Sequence, residues 1–224
     1  MNFLSHYYFD RNTKFSNLVV GIVLPDLIKN AKKDWNLHPE KLATKFDSPQ
    51  NLNSIFTGWK RHILIDRYFH NSLFFTEHTR SIKLEIAPIL QNSPIRPSFL
   101  AHIALEVMLD SLLIIDGLID VDDFYSHLIK SDRHSISHFL ELNQLKDTSI
   151  FFNFFDKFIE SRYLHSYRET HQITYALNRI CMRIWADPLN ESQKLQLTTV
   201  LVSYLNQLRP SFMDIFVDID SRLN

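Results

Sequence analysis

The sequence predicts an all-α protein, a single helical-bundle domain of about eight to ten helices over residues 1–224. Three observations carry this. Apolar residues recur at helical spacing along most of the chain. Only 3 of the 224 residues are glycine, and two of them, Gly21 and Gly58, sit inside helix-like patterns, which argues against a turn-rich β fold. Hydrophobic residues make up 45%, with 18 Phe, which is ample material for a core.

In order, residues around His6, Tyr7 and Tyr8 read as a short first helix. Ser16 suits an N-cap for a helix that begins at Asn17, and Pro25 is expected to bend or end it beside Asp26. A polar connection spans about Trp35 to Gln50. Ser48-Pro49 opens a helix from about Asn51 to Phe75, and another pattern runs from Glu77 to Leu90 before Pro94. Pro97 suits the first position of a helix to Ile115, closed by Asp116-Gly117. Asp120 or Asp122 caps a short helix ending near Ile129. Further helices are expected over 132–145, 149–162, 167–185, 191–208 and 211–223. The Phe-rich stripe at 151–158 reads as core. Residues 1–115 hold the chemistry-bearing text, and 116–224 read as scaffold.

Several function classes lack support. There is no GxGxxG and no GxxxxGK[ST]. A formal net charge of −1 does not indicate a nucleic-acid binder. One cysteine, Cys181, excludes an intrachain disulfide and reads as an inert core thiol. The start lacks a basic region followed by an apolar run, and charges interrupt the longer apolar runs. A cytoplasmic protein without membrane association is therefore expected.

Two stretches bear ionisable residues one helical turn apart. His62, Asp66 and His70 stand at i, i+4 and i+8, as do His102, Glu106 and Asp110. A step of four drifts by only about 40° around a helix, so each trio forms one stripe. Both stripes are embedded in apolar text, where charge is costly unless paired. Two such helices facing each other build a multidentate site in a bundle core. The bland readings are hydrogen-bonded core histidines and buried salt bridges, for example to Arg61 or Arg67. Glu106 and Asp110 one turn apart repel on a buried face, and a divalent cation relieves that repulsion. His6, Asp26, His62, Asp66, Glu106 and Asp110 are the candidate metal ligands; His70 and His102 lie on the same stripes. A mixed imidazole and carboxylate set suits Mn²⁺, Fe²⁺ or Zn²⁺ better than Ca²⁺, and such sites hydrolyse phosphoesters.

The opening Met1-Asn2-Phe3-Leu4-Ser5-His6, Asp26 after a small apolar helix, Gly58-x-x-x-His62-x-x-Ile65-Asp66, and Leu105-Glu106-Val107-Met108-Leu109-Asp110-x-Leu112 follow one another in order. Together they resemble the bacterial acyl carrier protein phosphodiesterases over roughly the first half of the chain. The resemblance implies an HD-domain-like all-α fold and a Mn²⁺-dependent reaction, with Fe²⁺, Mg²⁺ or Zn²⁺ as alternatives. That reaction removes 4′-phosphopantetheine from holo-acyl carrier protein, a step of fatty acid biosynthesis. It implies that His6, Asp26, His62, Asp66 and Asp110 hold the metal and the attacking water, with His62, Asp66 and Asp110 as catalytic residues. The chain departs from the family at Ile63, where the family has Arg, at His70, where it has Asp, and at Ser111, where it has His. An acidic carrier protein as partner calls for a basic docking face, for which Lys29, Lys32, Lys33, Lys60 and Arg61 are candidates. Two other readings use the same residues: an HD-like phosphohydrolase acting on another phosphoester, and a non-catalytic helical scaffold.

Overall fold

A computed structural model describes residues 1–223 and is all-α: eleven α-helices and three short 3-10 segments, with no strand among the described residues. The helices are α1 (Phe3–Tyr8), α2 (Ser16–Ala31), α3 (Gln50–His70), α4 (Leu73–Ile86), α5 (Pro97–Ile115), α6 (Val121–Lys130), α7 (Arg133–Leu142), α8 (Ser149–Ser161), α9 (Ile173–Cys181), α10 (Glu191–Leu208) and α11 (Met213–Leu223).

Local chemistry explains most boundaries. Pro97 occupies the first turn of α5, where its missing N–H is not needed. Asp120 accepts from the Asp122 and Asp123 amides to start α6, and Asp132 accepts from His134 to start α7. Asn190 and Gln193 form a reciprocal capping box at α10.

Four expectations are corrected. Pro25 neither ends α2 nor stops it short of Ala31, because burial of Val19, Val20, Ile22, Val23, Leu24 and Leu27 outweighs the lost hydrogen bond. Ser16 is the first helical residue, not the cap; its hydroxyl meets the His127 ring at 3.1 Å. The helix carrying His62 stops at His70 rather than Phe75, because Ser72 accepts from the Phe75 amide and starts α4. The long helix expected over 167–185 is instead two 3-10 turns, Tyr163–Arg168 and Thr170–Gln172, followed by the short α9.

The chain forms two compact units. One comprises His6–Asp66 and Ile119–Tyr163; the other comprises Met1–Ser5, Arg67–Leu118 and Leu164–Asn224. Each therefore draws on segments from both sides of residue 115, and boundaries fall within α1, after Ser5, and within α3, after Asp66.

In the unit of His6–Asp66 and Ile119–Tyr163, α2 packs on α6 and α8. Phe151, Phe155 and Phe158 are buried there, as the aromatic stripe predicts. α2 and α3 cross at two glycines. A Cβ on Gly21 would run into the backbone of Ile55, and one on Gly58 into the backbone of Leu18. Only glycine permits this approach.

In the other unit, α5 packs on α4, α9 and α10 and is buried along most of its length. It is long and apolar enough to cross a bilayer, with a mean hydropathy of 1.8, but 67% of that window lies buried within the protein. Cys181 is buried, and burial pushes its thiol up to about 11, as expected of an inert core residue.

Candidate metal centre

The glycine crossing brings the His62 side chain against α2. Its ring Nδ1 lies 2.7 Å from the Ile22 carbonyl oxygen. A carbonyl only accepts, so Nδ1 carries the proton. Burial, reinforced by neighbouring His6, holds the His62 pKa well below its ordinary value, so the ring is neutral. Its Nε2 is then a bare lone pair. That lone pair lies 3.6 Å from Asp66 Oδ2 and 4.0 Å from Asp26 Oδ1.

His6 completes the group. Its ring stacks on that of His62, with centroids 3.9 Å apart and planes 18° from parallel, and its Nε2 lies 3.2 Å from Asp66 Oδ1. Burial opposes charge on Asp66, yet its carboxyl is held well below the ordinary range, in part by His6 and His62. One ligand atom from each of His6, His62 and Asp66 falls within 4.8 Å of the others. Both histidines are buried, whereas Asp26 and Asp66 are about one-third exposed, at 33% and 30%. The group therefore has buried nitrogens behind and accessible oxygens in front. Such a donor set fits a divalent first-row ion, and the Ile22 carbonyl fixes the tautomer of His62 as outer partners of metal-bound histidines do.

The structure distributes the remaining predicted residues differently. Glu106 groups with His70 and His102: its Oε1 lies 3.4 Å from His70 Nε2 and 3.1 Å from His102 Nε2. The same oxygen lies 3.1 Å from the Met1 α-amino group. Asp110 is fully buried and accepts from the Leu4 amide (3.2 Å), the Ser5 amide (2.7 Å) and the Ser5 hydroxyl (2.6 Å). Burial nevertheless pushes its carboxyl up to about 7. Arg61 donates to Asp10 at 2.7 Å rather than to Glu106 or Asp110, and Ile63 is 43% exposed. Ser111 is buried and donates to the Tyr167 carbonyl at 2.6 Å. The Ile22 carbonyl and the Leu4 and Ser5 amides are hydrogen-bond partners of His62 and Asp110 that side-chain patterns do not reveal. Only the small-residue positions Gly21 and Gly58 hinted at the first.

Comparison of the chain with protein-family models, with characterised proteins and with solved structures finds no match.

Proposed function

We propose that the chain is a metal-dependent phosphoester hydrolase whose metal is held by His6, His62, Asp66 and Asp26. One observation carries this reading. The Nε2 lone pair of neutral His62 faces two carboxylates, an arrangement of electron-rich atoms that a cation between them converts from repulsive to favourable. A divalent ion bound there supplies Lewis acidity toward a phosphoryl oxygen and a water acidified to near neutral pH.

The chain's own residues divide the remaining work. His62 and His6 hold fixed orientations, the one through Ile22 and the other through the ring stack. Asp66 and Asp26, at the accessible side, orient the attacking water by accepting its hydrogen bonds. We take 4′-phosphopantetheine on an acyl carrier protein as the substrate to test first, with Mn²⁺ as the metal and the cytoplasm as the setting. That choice rests on the opening Met1–His6 block and on the Gly58–Asp66 block. A second reading, hydrolysis of a different phosphoester, is favoured by Ile63 and Arg61: the first carries no charge, and the second is engaged by Asp10.

The test is intact-mass measurement of holo-acyl carrier protein after incubation with the protein and Mn²⁺. The expected result is loss of the phosphopantetheine mass, abolished in Asp66→Ala. An unchanged mass, together with hydrolysis of small phosphodiesters that also depends on Asp66, would transfer the assignment to the second reading. No Asp66-dependent hydrolysis of either would leave a scaffold.

A further inference from the structure

We propose that His70, His102 and Glu106 form a second metal site, suited to Zn²⁺ and built from a donor set that shares no residue with the first. The three ligand atoms make a nearly equilateral triangle. Nε2 of His70 and Nε2 of His102 are 3.2 Å apart, and Glu106 Oε1 lies 3.4 Å and 3.1 Å from them. For Zn–N and Zn–O bonds of about 2.0–2.1 Å, adjacent ligands of a tetrahedral ion are separated by about 3.3–3.4 Å. The triangle is therefore one face of a tetrahedron already near its working size.

Hydrogen bonding accounts for only part of this arrangement. With Glu106 ionised, each Nε2 contributes at most one proton. If His102 donates to His70, the edge from His70 to Glu106 has none. If both donate to Glu106, two N–H groups confront each other at 3.2 Å. No assignment of imidazole protons makes hydrogen bonds of all three edges, whereas a single cation satisfies all three. The Met1 α-amino group also lies 3.1 Å from Glu106 Oε1.

The frame is rigid and open on one side. His102 and Glu106 stand one turn apart on α5. The Phe75 ring of α4 meets both imidazoles near-perpendicularly, at 5.0 Å from each. His70 and His102 keep 33% and 40% of their side-chain surface exposed, so a water completes the fourth position, as in His₂Glu zinc sites. His102 also lines an open cavity of about 290 Å³ beside Thr76, Thr79 and Ser98, which gives the ion a route in.

The full chain, stripped with a chelator and dialysed against Zn²⁺, should hold about two ions, one per donor set. His102→Ala and His70→Ala, both partly exposed positions, should each lose one ion while keeping the wild-type circular dichroism. Asp66→Asn should lose the other. With Co²⁺, the intense visible bands of a four-coordinate ion should weaken in His102→Ala and persist in Asp66→Asn. Wild-type metal content in a folded His102→Ala, or no metal bound by the wild type, would overturn the second site. Wild-type content in Asp66→Asn would instead count against the hydrolase centre and leave this site standing.

Discussion

Asp110 combines full burial with three donors aimed at one carboxylate. Replacing it by Asn sets an NH₂ group against one of those donors, which should lower stability by roughly 2–3 kcal/mol in urea melts. The pH dependence has a definite sign. The folded carboxyl lies up at about 7, above the ordinary carboxylate value it takes when unfolded. Between the two, the folded state keeps a proton that the unfolded state releases, so this group's contribution falls as pH rises and levels off above about 7. His62 acts oppositely, since its depressed pKa removes stability as pH falls through its unfolded value. The comparison isolates Asp110: the deficit of Asp110→Asn should shrink between pH 5 and pH 8. A deficit that grows would contradict the assignment. At this scale the sequence was half legible. Periodicity revealed the His62–Asp66 stripe, whereas the Ile22 carbonyl that orients His62 and two of the three donors on Asp110 are backbone groups, which carry no side-chain signature.

At the scale of elements, helix existence followed from period and caps, and the misreadings have identifiable causes. Proline propensity is a local cost of about 3 kcal/mol, and α2 overrides it by burying two faces. The break after His70 was marked by Asn71-Ser72, with Ser72 as the cap of α4, between the apolar pairs Tyr68-Phe69 and Leu73-Phe74. The α2–α3 crossing yields the sharpest element-level prediction. Gly21→Ala and Gly58→Ala place a methyl into backbone, so each should destabilise by about 1–3 kcal/mol or more. Each should also weaken metal binding, by moving the Ile22 carbonyl away from His62. Asn190→Ala serves as the contrast: loss of the α10 capping box should cost about 1 kcal/mol and leave metal binding unchanged. Calorimetric metal titrations of the three variants check this, and equal metal affinity throughout would dissociate the crossing from the site.

For the whole molecule, the division into 1–115 and 116–224 was read from where the chemistry stops, and such a reading is blind to contacts between distant segments. Each observed unit joins helices from both parts of the sequence. Metal binding gives a global readout. An ion held at a hundredfold excess over its dissociation constant should stabilise the fold by about 2.7 kcal/mol. Chelation should therefore lower the melting temperature, and Asp66→Asn should blunt the response to added Mn²⁺. The basic surface gives a second readout. Lys29 bonds Asn36, and Lys32 lies over the Trp35 ring at 5.7 Å. Replacing Lys29, Lys32 and Lys33 by Ser should raise KM for an acidic carrier protein, with kcat little changed. Unchanged kinetics would remove this docking face.

The paired glycines of α2 and α3 also constrain how this chain can diverge. Each lies against the other helix's backbone, so neither gains a side chain unless the helices part, and parting them separates His62 from Ile22. Descendants that retain the centre must retain both. The geometry thus becomes a fingerprint, Gly-x-x-x-Pro-Asp followed by Gly-x-x-x-His-x-x-x-Asp, in which the glycines identify kin as firmly as the ligands do. On the proposed function, a sequence that keeps the histidine and aspartates but lacks either glycine should hold no metal at this position.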